Sequence, residues 1–289
     1  RDELAGGTEP GAAAAAARAA AERAVLCADV PLRAKVMLDE EGGGLLDSDM
    51  LDAAQLACGG EALVRFGKGG APQISLHSPA EPALERALVT LLTLLAARRE
   101  EQALELRFYL REPALSRAAI LGRWEAAIGA LQLSQPLRLL AVGLDERQTY
   151  VRLTLHADGW EEPEGGTVPL ALARLLSHVR YGASRELAIR LSEPRQLATL
   201  CRPSRGPLRA LARQSGALTL LLKGPPTAEP PPSPHWWDAD AEPTGALGGA
   251  QGERARLILV GPPPVLRRAR ELVYAWLQAE GGPKAHPAR

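Results

Sequence analysis

Few residues of this chain are arranged to do covalent or acid–base chemistry. The sequence contains no GxSxG nucleophile motif, no GxxxxGK[ST] phosphate loop, no HExxH zinc motif and no CxxC pair. The histidines lie far apart, without the spacing of metal ligands, at His77, His156, His178, His235 and His286. The cysteines fit neither a disulfide framework nor a zinc motif: Cys27, Cys58 and Cys201. We therefore expect a protein that is not an enzyme and that holds no cofactor and no metal.

One group of arginines has the chemistry to hold phosphates. Five arginines would surround one loop and the helix that follows it: Arg195, Arg202, Arg205, Arg209 and Arg213. A guanidinium donates paired hydrogen bonds to a phosphate, so these residues are candidate nucleic-acid contacts. The alternative is an ordinary solvated face in a chain whose positive charge is mostly arginine.

Two adjacent tryptophans lie in a proline-rich insert, residues 225–252. Trp236 and Trp237 are candidate anchors for a protein partner, because aromatic side chains dominate the energetics of interfaces. Two alternatives stay open: the pair packs on its own sheet, or it stacks on nucleic-acid bases.

The composition predicts a folded protein without an overall attraction to nucleic acids. Hydrophobic residues are 46% of the 289 residues and charged residues 24%, while the formal net charge at pH 7 is zero. Any basic surface must therefore be local. No apolar stretch reaches the ~18 residues of a membrane span, and no signal-peptide pattern is visible. We expect a protein of the cytoplasm or the nucleus with no contact to a membrane.

The elements that would position these residues recur about every 81 residues, and each repeat has a β-α-α-β-β-α pattern. In the second repeat the predicted strands are 104–110, 137–142 and 150–156, and the predicted helices are 114–121, 126–132 and 168–179. In the third repeat the strands are 186–191, 217–223 and 254–260, and the helices are 194–200, 207–213 and 263–280. Gly216 is expected to end the second helix of that repeat in a left-handed conformation.

The first repeat fits this pattern less closely. Its predicted strands are 24–30, 62–66 and 73–77, with a central helix at 49–57 and a closing helix at 82–98. The alanine-rich residues 1–22 form either a helical lead-in or a linker. The closing helix has a leucine face wider than one stripe, so it either packs on two sides within the chain or binds a partner through residues such as Leu88 and Leu95.

The second and third repeats contain motifs of a known family. The apolar positions of residues 120–131 (ILGRWEAAIGAL) coincide with the pattern I-I-G-x-x-G-x-x-I-x-x-L. Residues 200–211 follow a similar frame, and residues 214–217 (QSGA) and 259–261 (LVG) match segments that flank the later elements. The chain thus resembles eukaryotic, type I KH domains over about residues 23–280, as found in multi-KH proteins of the Bicaudal-C or vigilin type.

This resemblance implies an α+β fold of three tandem KH-like modules, each a three-stranded antiparallel sheet backed by three helices. The implied modules are 23–101, 102–183 and 184–281, with a tail at 282–289. KH domains typically bind single-stranded RNA or DNA, and two glycines of a GxxG loop let main-chain N–H groups approach the phosphates.

The chain departs from the family at these loops. In the second module Gly122 keeps the first glycine but Glu125 replaces the second and would repel a phosphate. In the third module both glycine positions are arginines, Arg202 and Arg205, and in the first module the glycines at 42–44 follow three acids. We therefore expect a scaffold that binds protein partners in an RNA-regulatory, post-transcriptional complex. One alternative is genuine binding of single-stranded RNA by the arginine-rich loop of the third module. The other is a homo-oligomerisation module.

Overall fold

The computed structural model describes residues 10–28, 31–38, 48–67, 72–97, 103–110, 116–133, 137–145, 148–155, 168–191, 199–200, 206–223 and 255–279. The helices are α1 (Pro10–Leu26), α2 (Ser48–Cys58), α3 (Glu81–Ala97), α4 (Arg117–Ala130), α5 (Val168–Tyr181), α6 (Gly206–Ser215) and α7 (Pro263–Ala279). The strands are β1 (Leu32–Leu38), β2 (Leu63–Gly67), β3 (Gln73–Ser78), β4 (Ala103–Tyr109), β5 (Leu137–Asp145), β6 (Gln148–Leu155), β7 (Arg185–Leu191), β8 (Leu218–Lys223) and β9 (Ala255–Gly261). The protein is therefore a mixed α and β structure with antiparallel sheets.

Among the elements whose bounds the structure describes, one order occurs three times: strand, helix, strand, strand, helix. Residues 199–200, between β7 and α6, are also helical. We call these repeats unit 1 (β1-α2-β2-β3-α3), unit 2 (β4-α4-β5-β6-α5) and unit 3 (β7-α6-β8-β9-α7). In every unit the third strand lies between the first and the second. The periodicity seen in the sequence thus corresponds to a repeated topology.

The first two units share one six-stranded sheet of order β2-β3-β1-β4-β6-β5. Strand β1 pairs antiparallel with β4, from Ala34 opposite Phe108 to Leu38 opposite Ala103. The expectation of a separate three-stranded sheet in each module is wrong for these two units. The pairing hides two strand edges that separate sheets would leave open to other chains. Unit 3 forms its own sheet, β7-β9-β8.

Helices α3 and α5 lie between the two sheets, because α3 contacts β1, β3 and β8 and α5 contacts β5, β8 and β9. Helices α6 and α7 cover the other face of the small sheet. Strand β9 is consequently buried on both faces: Ile258 and Val260 join the core around α3 and α5, and Leu257 and Leu259 join the core under α6 and α7.

The position of α3 between the two sheets buries its wide leucine face. Leu88 is 0% exposed and Leu95 is 5% exposed, and both belong to the main core. The hypothesis that these two residues bind a partner is wrong, since burial between two sheets leaves them no free surface. The alternative prediction, packing on two sides within the chain, is confirmed.

The start of unit 1 differs from the prediction. Residues 24–26, which were expected to begin a strand, form the last turn of α1, and β1 starts only at Leu32. Alanine is the strongest helix former, so the tract from residue 12 onward carries the helix into this segment. Strand β1 alternates buried and partly exposed residues along its whole length, the pattern of a sheet with one covered face.

The turn predicted in unit 2 is also absent, because residues 117–130 form the single helix α4. The Ser116 side chain accepts a hydrogen bond from the Ala119 N–H and caps the helix. Ile120, Trp124 and Ile128 recur every four residues and are buried. One internal glycine costs a helix only about 1 kcal/mol, which this packing outweighs. Gly122 and Glu125, predicted as loop positions, are therefore exposed residues of a helix.

Candidate nucleic-acid interface

Most of the residues that the sequence predicts to bind nucleic acid or a partner in unit 3 lie outside the part of the chain that the structure describes. Arg195, Arg202 and Arg205 lie outside the described residues, as do Trp236 and Trp237 with their whole insert. Arg213 is an exposed residue of α6. Within the described part of the chain, the predicted group thus reduces to two arginines on one helix.

Arg209, the other arginine of this pair, is engaged inside the protein. Its Nη1 donates a hydrogen bond of 3.1 Å to the carbonyl oxygen of Leu56, near the C-terminal end of α2. Gly59, with φ +61°, makes room for the guanidinium, since a Cβ there would lie 1.6 Å from Nη1. Burial lowers the pKa of Arg209. Arg209 therefore joins unit 3 to unit 1, and its prediction as an open phosphate contact is wrong.

A different basic surface lies on the six-stranded sheet, on the face opposite Ala34, Val36 and the other core residues of β1. Strand pairing puts Lys35 opposite both Ser75 and Arg107, and Arg107 opposite Arg152, so these side chains share that face. We call it the outer sheet face and define it by nine residues: Arg33, Lys35, Arg65, His77, Glu105, Arg107, Tyr109, Tyr150 and Arg152. Among these nine described residues, five side chains are cationic and one is a carboxylate, in a chain whose formal net charge is zero.

The unit 1 half of this face is cationic. His77 on β3 is paired directly with Arg33 on β1, and Lys35 and Arg65 lie on the neighbouring strands. The pKa of His77 is lowered first by burial and then by the positive charges of Arg65, Arg33 and Lys35. The imidazole is therefore neutral near pH 7, because protonation would add a further positive charge to this cluster.

The unit 2 half combines charge with aromatic rings. Arg107 Nε donates a 2.8 Å hydrogen bond to Glu105 Oε1, which raises the pKa of Arg107, and Arg152 Nη1 lies 4.0 Å from Glu105 Oε2. The rings of Tyr109 and Tyr150 lie 5.3 Å apart. The Arg107 guanidinium carbon is 5.6 Å from the Tyr150 ring centre.

Cations of unit 1 meet the aromatic pair at the junction of β1 and β4. The guanidinium carbon of Arg33 lies 4.1 Å from the ring centre of Tyr109, and Lys35 Nζ lies 5.8 Å from it. Such contacts hold cations against a ring face. Tyr109 is 1% exposed, whereas Tyr150 is half-buried. Tyr150 is thus the aromatic ring of this face that a ligand could reach.

A glycine positions the Tyr150 ring. Gly143 on β5 is the pairing partner of Tyr150, and a Cβ at Gly143 would lie 2.4 Å from the Tyr150 Cζ. The ring therefore lies across the neighbouring strand, over a residue without a side chain. A tyrosine placed over a cross-strand glycine covers the backbone and fixes its own orientation.

Sequence reasoning missed this surface for identifiable reasons. Arg33 and Lys35 alternate with apolar residues, which is the pattern of a strand, but the strand was assigned to residues 24–30. Strands 104–110 and 150–156 were predicted correctly, yet nothing local shows that β4 pairs with β1. The outer sheet face exists only because of that long-range pairing.

No protein-family model, no curated protein and no solved structure matches the chain. Across the described ranges, no helix has the length and apolar character needed to cross a membrane. The same residues contain no cluster of histidine, cysteine and acidic side chains suited to a metal ion.

Proposed function

We propose that the protein binds RNA without transforming it, and that the outer sheet face is the surface that binds it. The observation that carries this proposal is that, among the described side chains of this face, five are cationic and one is a carboxylate, in a chain whose formal net charge is zero. Affinity for a phosphate backbone comes from cations that displace its counterions. The chain as a whole lacks the charge for such binding, so a local cationic surface is what supports it.

The threefold repeat of one topology also supports a chain of three KH-like modules. The segment that aligns best with the KH turn, residues 120–131, lies largely in helix α4 and offers no loop of two glycines. The proposal therefore puts RNA on the sheet and not on this segment. It modifies the alternative of RNA binding by the arginine loop of unit 3, whose central residues lie outside the described part of the chain.

A charge-reversal experiment tests the proposal. The variant Lys35→Glu/Arg65→Glu changes two cations of the outer sheet face, and Arg267→Glu/Arg268→Glu makes the same charge change on the exposed side of α7. Binding of a fluorescent mixed-sequence RNA 12-mer is measured by anisotropy between 50 and 200 mM salt. Equal urea unfolding midpoints for the three proteins establish that all are folded.

The wild type is expected to bind with a salt-dependent affinity. Each lost phosphate contact lowers the slope of log K against log salt by about 0.7 for a single strand. The outer-face variant should therefore lose affinity and slope, while the α7 variant stays within about twofold of the wild type, since it removes no phosphate contact. Absence of RNA binding by the wild type at 50 mM salt, or an equal loss in both variants, overturns the proposal.

The second candidate is a non-catalytic scaffold that binds protein partners in an RNA-regulatory complex. It is favoured by the continuous helix α4, which removes the family's nucleotide clamp from unit 2. The same titration separates the two candidates, because a scaffold of this kind shows no salt-dependent affinity for the RNA 12-mer. Homo-oligomerisation through the leucine face of α3 is not proposed, since that face is buried.

A further inference from the structure

The two halves of the outer sheet face differ in chemistry. The unit 1 half contributes Arg33, Lys35 and Arg65 around His77, whose pKa is lowered first by burial and then by these three positive charges. On the unit 2 half, Glu105 accepts a hydrogen bond from Arg107 and lies within ion-pair distance of Arg152. The accessible aromatic group of this half is the ring of Tyr150. One half thus suits phosphates, and the other suits the flat face of a base.

We infer that the ligand is single-stranded RNA, with its phosphates over the unit 1 half and one base stacked on Tyr150. This inference rests on the proposed RNA-binding function and specifies its ligand. From β2 to β6 the face spans four strand intervals, roughly 19 Å at ~4.8 Å each. An RNA strand that crosses the sheet from β2 to β6 contacts both halves of the outer sheet face.

The position of Tyr150 excludes a duplex as the preferred ligand. Bases in a duplex have their faces covered by their neighbours, so a protein ring can stack only on a base that has left the stack. Single strands present such bases, and aromatic platforms bind them with little regard to sequence. Tyr150 lies over Gly143 and is half-buried, so the ring is held against the sheet before the ligand arrives.

The β1–β4 pairing makes the site a property of two units together. Arg33 of unit 1 lies against Tyr109 of unit 2, and Tyr109 lies against Tyr150. The phosphate half and the base half are therefore connected by direct side-chain contacts across the junction. Neither unit alone carries both.

Three probes test the inference: a single-stranded RNA 12-mer, the same sequence annealed to its complement, and heparin, which has charge but no bases. The variants are Tyr150→Ala, Tyr150→Phe and Lys35→Glu, with Gly143→Ala as a second way to move the ring. A Cβ at Gly143 would overlap the Tyr150 ring, so Gly143→Ala displaces it without changing any charge. Urea unfolding midpoints check the folding of each variant.

The wild type should prefer the single strand to the duplex. Tyr150→Ala should weaken single-strand binding roughly 5- to 150-fold, the value of one stacked base, with heparin affinity and the salt slope unchanged. Tyr150→Phe should retain the affinity, Gly143→Ala should follow Tyr150→Ala, and Lys35→Glu should weaken both RNA and heparin.

Each contrary result has one meaning. Equal affinity for strand and duplex, or a parallel loss of RNA and heparin in Tyr150→Ala, overturns the inference but leaves the proposed function standing. A wild type that binds none of the three probes overturns both.

Discussion

The buried contact of Glu85 with Arg180, which joins units 1 and 2, yields a quantitative prediction. Glu85 on α3 is 3% exposed, and its Oε2 accepts a 2.5 Å hydrogen bond from Arg180 Nη1 on α5. Burial raises the pKa of Glu85 to about 8 although Arg180 opposes the shift, against 4.5 for an ordinary glutamate. The folded protein therefore holds a proton that the unfolded chain has released between these two pH values.

The sign of the effect on stability follows from this proton. Because the folded state binds more protons than the unfolded state between pH 4.5 and 8, the free energy of unfolding falls as the pH rises through this window. At 1.36 kcal/mol for each unit of pKa difference, linkage gives a loss of about 3 to 4 kcal/mol from pH 5 to pH 8. The glutamine side chain of Glu85→Gln does not titrate, so the free energy of unfolding of this variant should fall less between pH 5 and pH 8.

Urea unfolding followed by tryptophan fluorescence measures this difference at pH 5 and pH 8. The two proteins should have similar stability at pH 5, and the variant should be the more stable one at pH 8. Glu271→Gln, an exposed carboxylate of α7, is the matched control and should follow the wild type. The reasoning is refuted if Glu85→Gln shows the same pH dependence as the wild type.

Three further predictions concern the fold. Gly122 lies at an exposed position inside α4 with open space around it, so Gly122→Ala should stabilise the protein by about 0.5–1 kcal/mol in urea unfolding. Gly216 has φ +81°, so Gly216→Ala should destabilise the protein by about 1–2 kcal/mol in the same assay. A Gly122→Ala variant that is less stable than the wild type contradicts a continuous helix. Arg209→Ala should cost about 1–3 kcal/mol and exposed Arg213→Ala less than about 0.5 kcal/mol in the same assay, so equal costs contradict the inter-unit bond. Trp124→Ala should cost about 3–5 kcal/mol, since the side chain is 1% exposed, and a cost below about 1 kcal/mol contradicts its place in the core.

Much of the secondary structure could be predicted from local patterns. Strands β2 to β9 and helices α2, α3, α5, α6 and α7 begin and end within a few residues of their predicted bounds. Gly216 adopts the positive φ expected at the end of its helix. Apolar periodicity and turn residues are local signals, and these elements follow them.

The predictions of the first strand and of the turn in unit 2 were wrong because helix propensity or core packing outweighed the local signal. The alanine tract extended α1 into residues 24–26, where the first strand was expected to begin, and the buried Trp124 kept α4 continuous through Gly122. The outer sheet face escaped prediction for another reason: its residues are brought together by the pairing of β1 with β4, about 70 residues apart in the chain. A surface whose residues lie on five strands can be recognised only when the order of those strands is known.

Lysine footprinting tests the central claim most directly, because the chain has only four lysines and one of them, Lys35, lies in the centre of the outer sheet face. The protein is acetylated briefly with and without saturating single-stranded RNA, and mass spectrometry quantifies each site. RNA on this face should protect Lys35 while Lys284, in the C-terminal tail, serves as the reference. Unchanged acetylation of Lys35 under conditions in which RNA is bound would contradict the account.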